Sequence, residues 1–402
     1  MSSPLRILRV YHAGRDAAHR ARERALVAAG IDVTLVVPRE WPGGEAELSP
    51  EPFRIVELDV RRPGDVNRHH YPDEGAIRAL LDEARPDVLD LHEEPFSVAA
   101  RQWLRAAPPE LPVVMYTAQN VDKRFPPPFH QWERAAHRRV AALYPCSRQA
   151  ASVARGKGFA GRIEVLPLGY EPEIFQPGEQ SLDDPELVLA FAGRLVPEKG
   201  VDDAVQVATL LAETRPTRLV VCGEGPVAPE GEGVDVLGPV EPATLARVFR
   251  SAHFALVPSR PTPTWTEQFG RVIVEAQASG AVVAGYDSGS IGEVGGDPAL
   301  LVPTGDAQAL AERILELDPA EFERRRREGI ALAGGRTWPR VGEAQSALYR
   351  EVVAGVERMP LPRSAGARRA EARAEFGPTA STTAGTRPSA LPVLRRIKLR
   401  PR

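Results

Sequence analysis

Glu267-Gln268-Phe269-Gly270-Arg271-Val272-Ile273-Val274-Glu275-Ala276 is the stretch on which the reading of this chain turns. An apolar run, His253–Val257, and the pair Pro258-Ser259 precede it; Ser279-Gly280 and a second apolar run, Ala281–Tyr286, follow. Strand, loop, helix and strand in that order form the repeating unit of a parallel sheet covered by helices. A helix beginning near Gly270 leaves its first N–H groups free beside its positive dipole end, and glycine lets an anion approach closely. Glu275 then sits about 7 Å further along the axis, at roughly 1.5 Å per residue, while Glu267 precedes the helix. Two hydrogen-bond-accepting carboxylates therefore bracket an anion site, an order that copies sugar, diphosphate and ribose. Glu267 is assigned to sugar hydroxyls and Glu275 to a ribose diol, with Gln268, Phe269, Gly270 and Arg271 around the phosphates.

Working outward, the same alternation extends in both directions. Apolar runs at Leu187–Ala192 and Leu219–Cys222 join the two above, with helical patterns at Val201–Thr214, Ala243–Ser251 and Ala307–Leu317. The run Phe191-Ala192-Gly193-Arg194-Leu195-Val196-Pro197-Glu198-Lys199-Gly200 ends a strand in glycine and brings a guanidinium near an ammonium. Arg194 and Lys199 together suit a leaving diphosphate, one by paired hydrogen bonds and the other as a compact charge. Gly193 and Gly223, the latter in the turn Gly223-Glu224-Gly225-Pro226, put little bulk at the strand ends.

The N-terminal half has its own alternation. Strands are expected at Arg6–Tyr11, Asp32–Pro38, Phe53–Val60, Asp87–His92, Pro112–Thr117, Ala142–Pro145 and Ile163–Pro167, with a helix over Arg15–Ala29 stopped by Gly30. The fold class is α/β, two Rossmann-like doubly wound parallel-sheet domains facing a central cleft. The division is 1–170 for the acceptor-side domain, 171–186 for a Pro- and acid-rich linker and 187–337 for the nucleotide-sugar domain. A helix at 338–356 is expected to return to the first domain. From Glu357 onward eleven Lys or Arg face three Glu, a basic and disordered tail on an acidic body.

Composition narrows the classes further. A 43% hydrophobic, 26% charged chain is ordinary for a globular protein, and no segment approaches the roughly 20 apolar residues of a membrane-crossing helix. The start lacks the pattern of a signal peptide, so a cytoplasmic location is expected. The only two cysteines, Cys146 and Cys222, have no zinc-type spacing. Asp183-Asp184 lies in the linker and Asp202-Asp203 begins a helix, so no metal and no cofactor are assigned. The absence of G-x-G-x-x-G after the first strand argues against a dinucleotide oxidoreductase.

The series Gly193-Arg194-Leu195, Lys199-Gly200, Gly223-Glu224-Gly225-Pro226, Pro258-Ser259 and Glu267 through Glu275 with Ala276, Ser279 and Gly280 resembles glycosyltransferase family 4, glycosyl transferases group 1. The resemblance spans about Arg6 to Val353 and implies the two-domain GT-B architecture and transfer from a UDP- or GDP-linked sugar to a hydroxyl acceptor. It further implies retained anomeric configuration, no metal, and catalytic roles for Glu267, Arg194, Lys199 and His92. The first domain departs from the pattern. Thr117-Ala118-Gln119-Asn120 has glutamine where many members have histidine, and the glycine pair after the first strand is reduced to Gly14, which is assigned to the donor phosphates.

On the acceptor or sugar side stand Gln119, Glu93 and Lys123, with one of Glu93 and Glu94 expected to be solvated. The acceptor is a sugar, a lipid-linked sugar or a small molecule, with no nucleic acid involved. The tail from Leu391, apolar residues interleaved with cations, suits peripheral contact with the inner face of a membrane. The competing function is a catalytically silent nucleotide-sugar-binding protein.

Overall fold

A computed structural model of the chain describes residues 4–42, 44–46, 48–355, 357 and 364–379. The membrane-contacting segment expected at 391–402 lies outside the described residues. Two parallel sheets organise the rest. In the first, β1 (Leu5–Val10), β2 (Ile31–Pro38), β3 (Arg54–Leu58), β4 (Val88–Leu91), β5 (Val113–Thr117), β6 (Ala142–Pro145) and β7 (Arg162–Ile163) run in the order β3-β2-β1-β4-β5-β6-β7. In the second, β8 (Leu187–Ala192), β9 (Thr217–Cys222), β10 (Val234–Gly238), β11 (Phe254–Val257), β12 (Val282–Tyr286) and β13 (Leu300–Val302) run in the order β10-β9-β8-β11-β12-β13. Both orders reverse direction beside their first strand, which opens a crevice at the carboxyl edge where such sheets hold ligands.

Alternation along each strand fills a core on both faces. On β1, Leu8 and Val10 pack with Leu89, Leu91 and Met115, while Ile7 packs with Val88 and Val114 on the other side. On β8, Val188 and Ala190 enter one layer, and Leu187, Leu189 and Phe191 the other. Burial on both faces explains why these runs read as continuously apolar. The helix Trp338–Ala354 crosses back to the first domain, where Leu348, Tyr349 and Val352 pack beside Ile7, Leu26 and Val88.

Three local features differ from the sequence reading. The helix expected from Arg15 starts at Ala21, because two short 3-10 turns, His12–Arg15 and Ala17–His19, come first. A helix over Pro319–Gly334 was not anticipated; Asp318 caps it by accepting from the Glu321 N–H. Disorder throughout the tail is also corrected. Ala365–Phe376 is a helix, capped by Ser364 and packed on Arg148–Gly156, with Arg155 paired to Glu375 at 3.1 Å and Arg369 to Asp122 at 2.6 Å. Low apolar content pointed the other way, but Ala, Arg and Glu are strong helix formers and the ion pairs fasten the helix to its neighbour.

Candidate active site in the interdomain cleft

The loops after β5 and β11 meet across the cleft. The Asn120 side-chain amide donates to the Glu267 carbonyl at 2.7 Å, and the Gln268 amide donates to the Ala118 carbonyl at 3.1 Å. Beside this junction lies a cavity of about 450 Å³ walled by both domains, with Tyr11, His92, Glu93 and Gln119 on one side and Trp265 and Gln268 on the other.

On the second-domain wall, Glu267 is 6% exposed, and its Oε2 accepts from Lys199 Nζ at 2.6 Å and from Ser259 Oγ at 3.0 Å. Lys199 also stands 5.3 Å from the Trp265 ring centre, so its ammonium is held by a carboxylate and an aromatic face. Gly270 takes φ 74° as the residue preceding the helix Arg271–Ala278, a left-handed conformation that favours glycine. Glu275 is buried on that helix and pairs with Arg271 at 2.8 Å. Burial raises its pKa above the ordinary carboxylate range, opposed by Arg271 and reinforced by Glu171. At the ends of β8 and β9 the backbones nearly touch: a Cβ on Gly223 would come within 1.8 Å of the Gly193 carbonyl oxygen.

Not every expected residue joins this group. Arg194 does not share a grip with Lys199; its side chain is 64% exposed and its nearest charge is Glu198 at 3.9 Å. The side chain of Phe269 belongs to the core beside Ile273 and Val274, so only its backbone can serve a ligand. Gly14 sits in the turn after β1, where a Cβ would meet Tyr11 and Leu35, and its carbonyl accepts from the buried Arg20 at 2.6 Å. That makes packing a sufficient reason for glycine there.

The first-domain wall is a network of buried charges. Arg9, 0% exposed, pairs with Glu23 and Asp90 and donates to Tyr144 at 3.0 Å and to His92 Nδ1 at 2.8 Å. Asp90 is further held by Tyr144, Tyr349 and, at 3.0 Å, Gln345. A guanidinium can only donate, so His92 Nδ1 accepts and Nε2 carries the hydrogen. Burial, together with Arg9, pushes the His92 pKa well below its usual value and keeps it neutral. Stacked on Tyr116 at 3.9 Å, His92 presents a fixed N–H donor to the cleft and not a base.

Of the neighbouring glutamates, Glu93 is buried and Glu94 keeps partial exposure. Glu93 accepts from the His12 backbone N–H at 3.2 Å and from its ring at 2.8 Å, and Glu94 accepts from Ala118 N–H and Thr117 Oγ1, both at 2.8 Å. Burial drives the Glu94 pKa up to about 7. Gln119 is engaged by Lys157, which also pairs with Glu133 at 2.8 Å. Its carboxamide is thus drawn into a neighbouring ion pair. Lys123 lines the cavity with its pKa lowered by burial, against the attraction of Glu94. Sequence reasoning missed Ser259 as a partner of Glu267, the contacts by which Asn120 and Gln268 join the two domains, and His12 and His69; Gln268, expected at the donor phosphates, instead bonds to the Ala118 carbonyl. His12 and His69 meet only because β1, β4 and the loop before Tyr71 converge. Asp203, held by Arg260, and Asp184, held by His253 at 3.0 Å, are occupied by structural partners.

Comparisons with known proteins agree with this architecture. Residues 186–318 match the model of glycosyl transferases group 1, and residues 23–174 match that of glycosyltransferase family 4. A D-inositol 3-phosphate glycosyltransferase 1 of Catenulispora acidiphila is 30% identical over 378 residues, covering 80% of this chain and 82% of that relative. The chain therefore belongs to glycosyltransferase family 4. A D-inositol 3-phosphate glycosyltransferase of Segniliparus rotundus is 30% identical over 226 residues, 50% of this chain and 49% of that relative. The matched region spans about half the length of the first curated relatives it resembles. Among solved structures, a sucrose-phosphate synthase from Thermosynechococcus elongatus superposes with TM-score 0.68 at 18% identity, covering 87% of this chain and 99% of that one. Anabaena Alr3699/HepE in complex with UDP and glucose gives 0.62 at 16% identity, covering 87% and 100%. Both architectures are GT-B. Among the described residues, no helix is long and apolar enough to cross a membrane.

Proposed function

We propose that the chain transfers a sugar from a nucleotide diphosphate sugar to a hydroxyl acceptor, with retention of anomeric configuration and without a metal at the diphosphate. One observation carries this reading: Lys199 and Ser259 converge on Glu267 just before the helix that Gly270 opens, next to Trp265 and Gln268 of the cavity wall. The helix start and the Lys199 ammonium supply positive potential where a leaving diphosphate gains negative charge. Glu267 accepts from sugar hydroxyls beside the Lys199 ammonium, and Glu275 accepts from the ribose diol. Arg194, largely exposed and loosely paired with Glu198, swings onto the diphosphate when the donor arrives.

In the reaction, the bond between the anomeric carbon and the diphosphate oxygen breaks. The acceptor oxygen bonds to the same face of that carbon, and its proton passes to a departing phosphate oxygen. The His92 Nε2–H donates to a sugar hydroxyl and keeps its own proton throughout. Closure of the two walls through Asn120 and Gln268 excludes water from the donor.

A panel of UDP- and GDP-linked sugars tests the reading, beginning with UDP-glucose because the Anabaena structures hold it. Thermal stabilisation by one donor, with slow hydrolysis or transfer abolished in Glu267→Ala, supports it. Binding without turnover across a broad acceptor panel favours the silent binding protein instead.

A further inference from the structure

Behind the cavity's first-domain wall, the turn after β1, the loop before Tyr71 and the end of β4 bring together His12, His69 and Glu93. One metal-capable atom from each lies within 4.8 Å of the others. Glu93 is 2% exposed and His69 0%. His69 Nδ1 is 3.2 Å from the Asp65 carbonyl, which can only accept, so the hydrogen is on Nδ1 and the lone pair on Nε2. That Nε2 has no hydrogen-bond partner and stands 3.8 Å from the Glu93 carboxylate, another bearer of lone pairs. Two buried acceptors facing each other leave a polar atom unsatisfied, which folded proteins avoid unless something sits between them.

We propose that His12, His69 and Glu93 form a binding site for a borderline divalent cation of the Zn²⁺ class, with an open coordination position toward the cleft. Two imidazoles and one carboxylate are a donor set that zinc favours, and three protein ligands leave a fourth position for water or an oxygen-bearing ligand. The N–H of His69 bonded to a backbone carbonyl is the outer hydrogen bond that metal-ligating histidines ordinarily make. His12 Nδ1 now donates to Glu93 at 2.8 Å; the cation replaces that hydrogen, which leaves as a proton, and the ring keeps its hydrogen on Nε2. Trp41 stacks on His12 with ring centres 5.1 Å apart and meets His69 edge-on at 5.0 Å, holding both rings near the shared space. His12 and Glu93 line the cavity, which puts the open position on the side where an acceptor would enter.

The site uses none of the side chains assigned to the diphosphate and does not depend on the transferase reading. The test uses the full chain, stripped with a chelator and titrated with Co²⁺ as a coloured probe, then with Zn²⁺ in competition. A single Co²⁺ per chain with visible absorption bands, bleached by Zn²⁺, is expected. His69→Gln should weaken uptake at least about tenfold, with circular dichroism unchanged. His12→Gln, at a partly exposed position, should do the same and keeps the test decisive if the buried substitution misfolds. Absence of the absorption bands overturns the proposal, as does uptake equal to wild type in a folded variant, which would mark adventitious surface binding. Loss of donor binding in other experiments would leave this titration unaffected.

Discussion

The two walls of the cleft are built on sheets of the same strand order, yet they hold charge in opposite ways. The second-domain wall concentrates its ionic groups at strand ends and one helix start, where Lys199 keeps 19% of its side chain exposed and Glu267 7%. The first-domain wall seals this network inside: Arg9 pairs with both Asp90 and Glu23 at 0% side-chain exposure and fixes His92 from behind. On the function proposed above, the second wall is machinery for a ligand, while the Arg9–Asp90 network of the first is a frame that holds a single donor still. Substitutions should separate the two, stability falling on one side and turnover on the other.

The sharpest break is Asp90→Ala. It removes the carboxylate shared by Arg9, Tyr144, Tyr349 and Gln345 and strands a buried guanidinium. Losing one partner of a buried pair costs about 3–5 kcal/mol, so denaturant unfolding should move by that amount. An unmoved midpoint would show that the network is not what holds the terminal helix to the first domain. Glu267→Ala should do the reverse, lowering turnover by about 100- to 1000-fold, the scale seen when one preorganised group at a developing charge is lost. Its cost in stability should be smaller than that of Asp90→Ala.

How far each wall could be read from the sequence follows from the same contrast. The helix start at Gly270 and the glycines at strand ends 193 and 223 lie within short segments, so local pattern was enough to find them. Arg9, Asp90 and Tyr349 lie far apart along the chain and meet only through strand order and the returning helix. The parallel sheets were legible because strands buried on both faces are continuously apolar. The short, partly exposed Val234–Gly238 and the three-residue Leu300–Val302 gave no such signal. Arg194 and Lys199 are close in sequence, yet the intervening turn sends one to solvent and the other to Glu267. Spacing alone could not tell these apart.

A pH titration sharpens the comparison within the second wall. Burial raises the Glu275 pKa, and Glu171 adds to that while Arg271 opposes it. The ionised form is the better acceptor for two ribose hydroxyls, so donor affinity is full above the raised pKa and lost as pH falls through it. The loss should begin at a higher pH than an ordinary carboxylate would give. Calorimetric titration of UDP from neutral to acidic pH reads this directly, and Glu275→Gln should bind weakly with a flattened profile. A wild-type profile that is already flat would remove Glu275 from the ribose.

The smallest effect is expected where the walls touch. Asn120→Ala deletes the 2.7 Å bond to the Glu267 carbonyl, but that carbonyl also accepts from the Ser290 N–H at 2.9 Å and is not orphaned. The loss is therefore that of one ordinary hydrogen bond, about 0.5–1.5 kcal/mol, felt by the closed arrangement and not by the position of Glu267. If closure precedes tight donor binding, apparent donor affinity should fall by about two- to tenfold, with turnover at saturation nearly unchanged. A collapse of turnover comparable to that of Glu267→Ala would mean that Asn120 acts on the reacting groups. The first wall would then have to be counted as chemistry as well as frame.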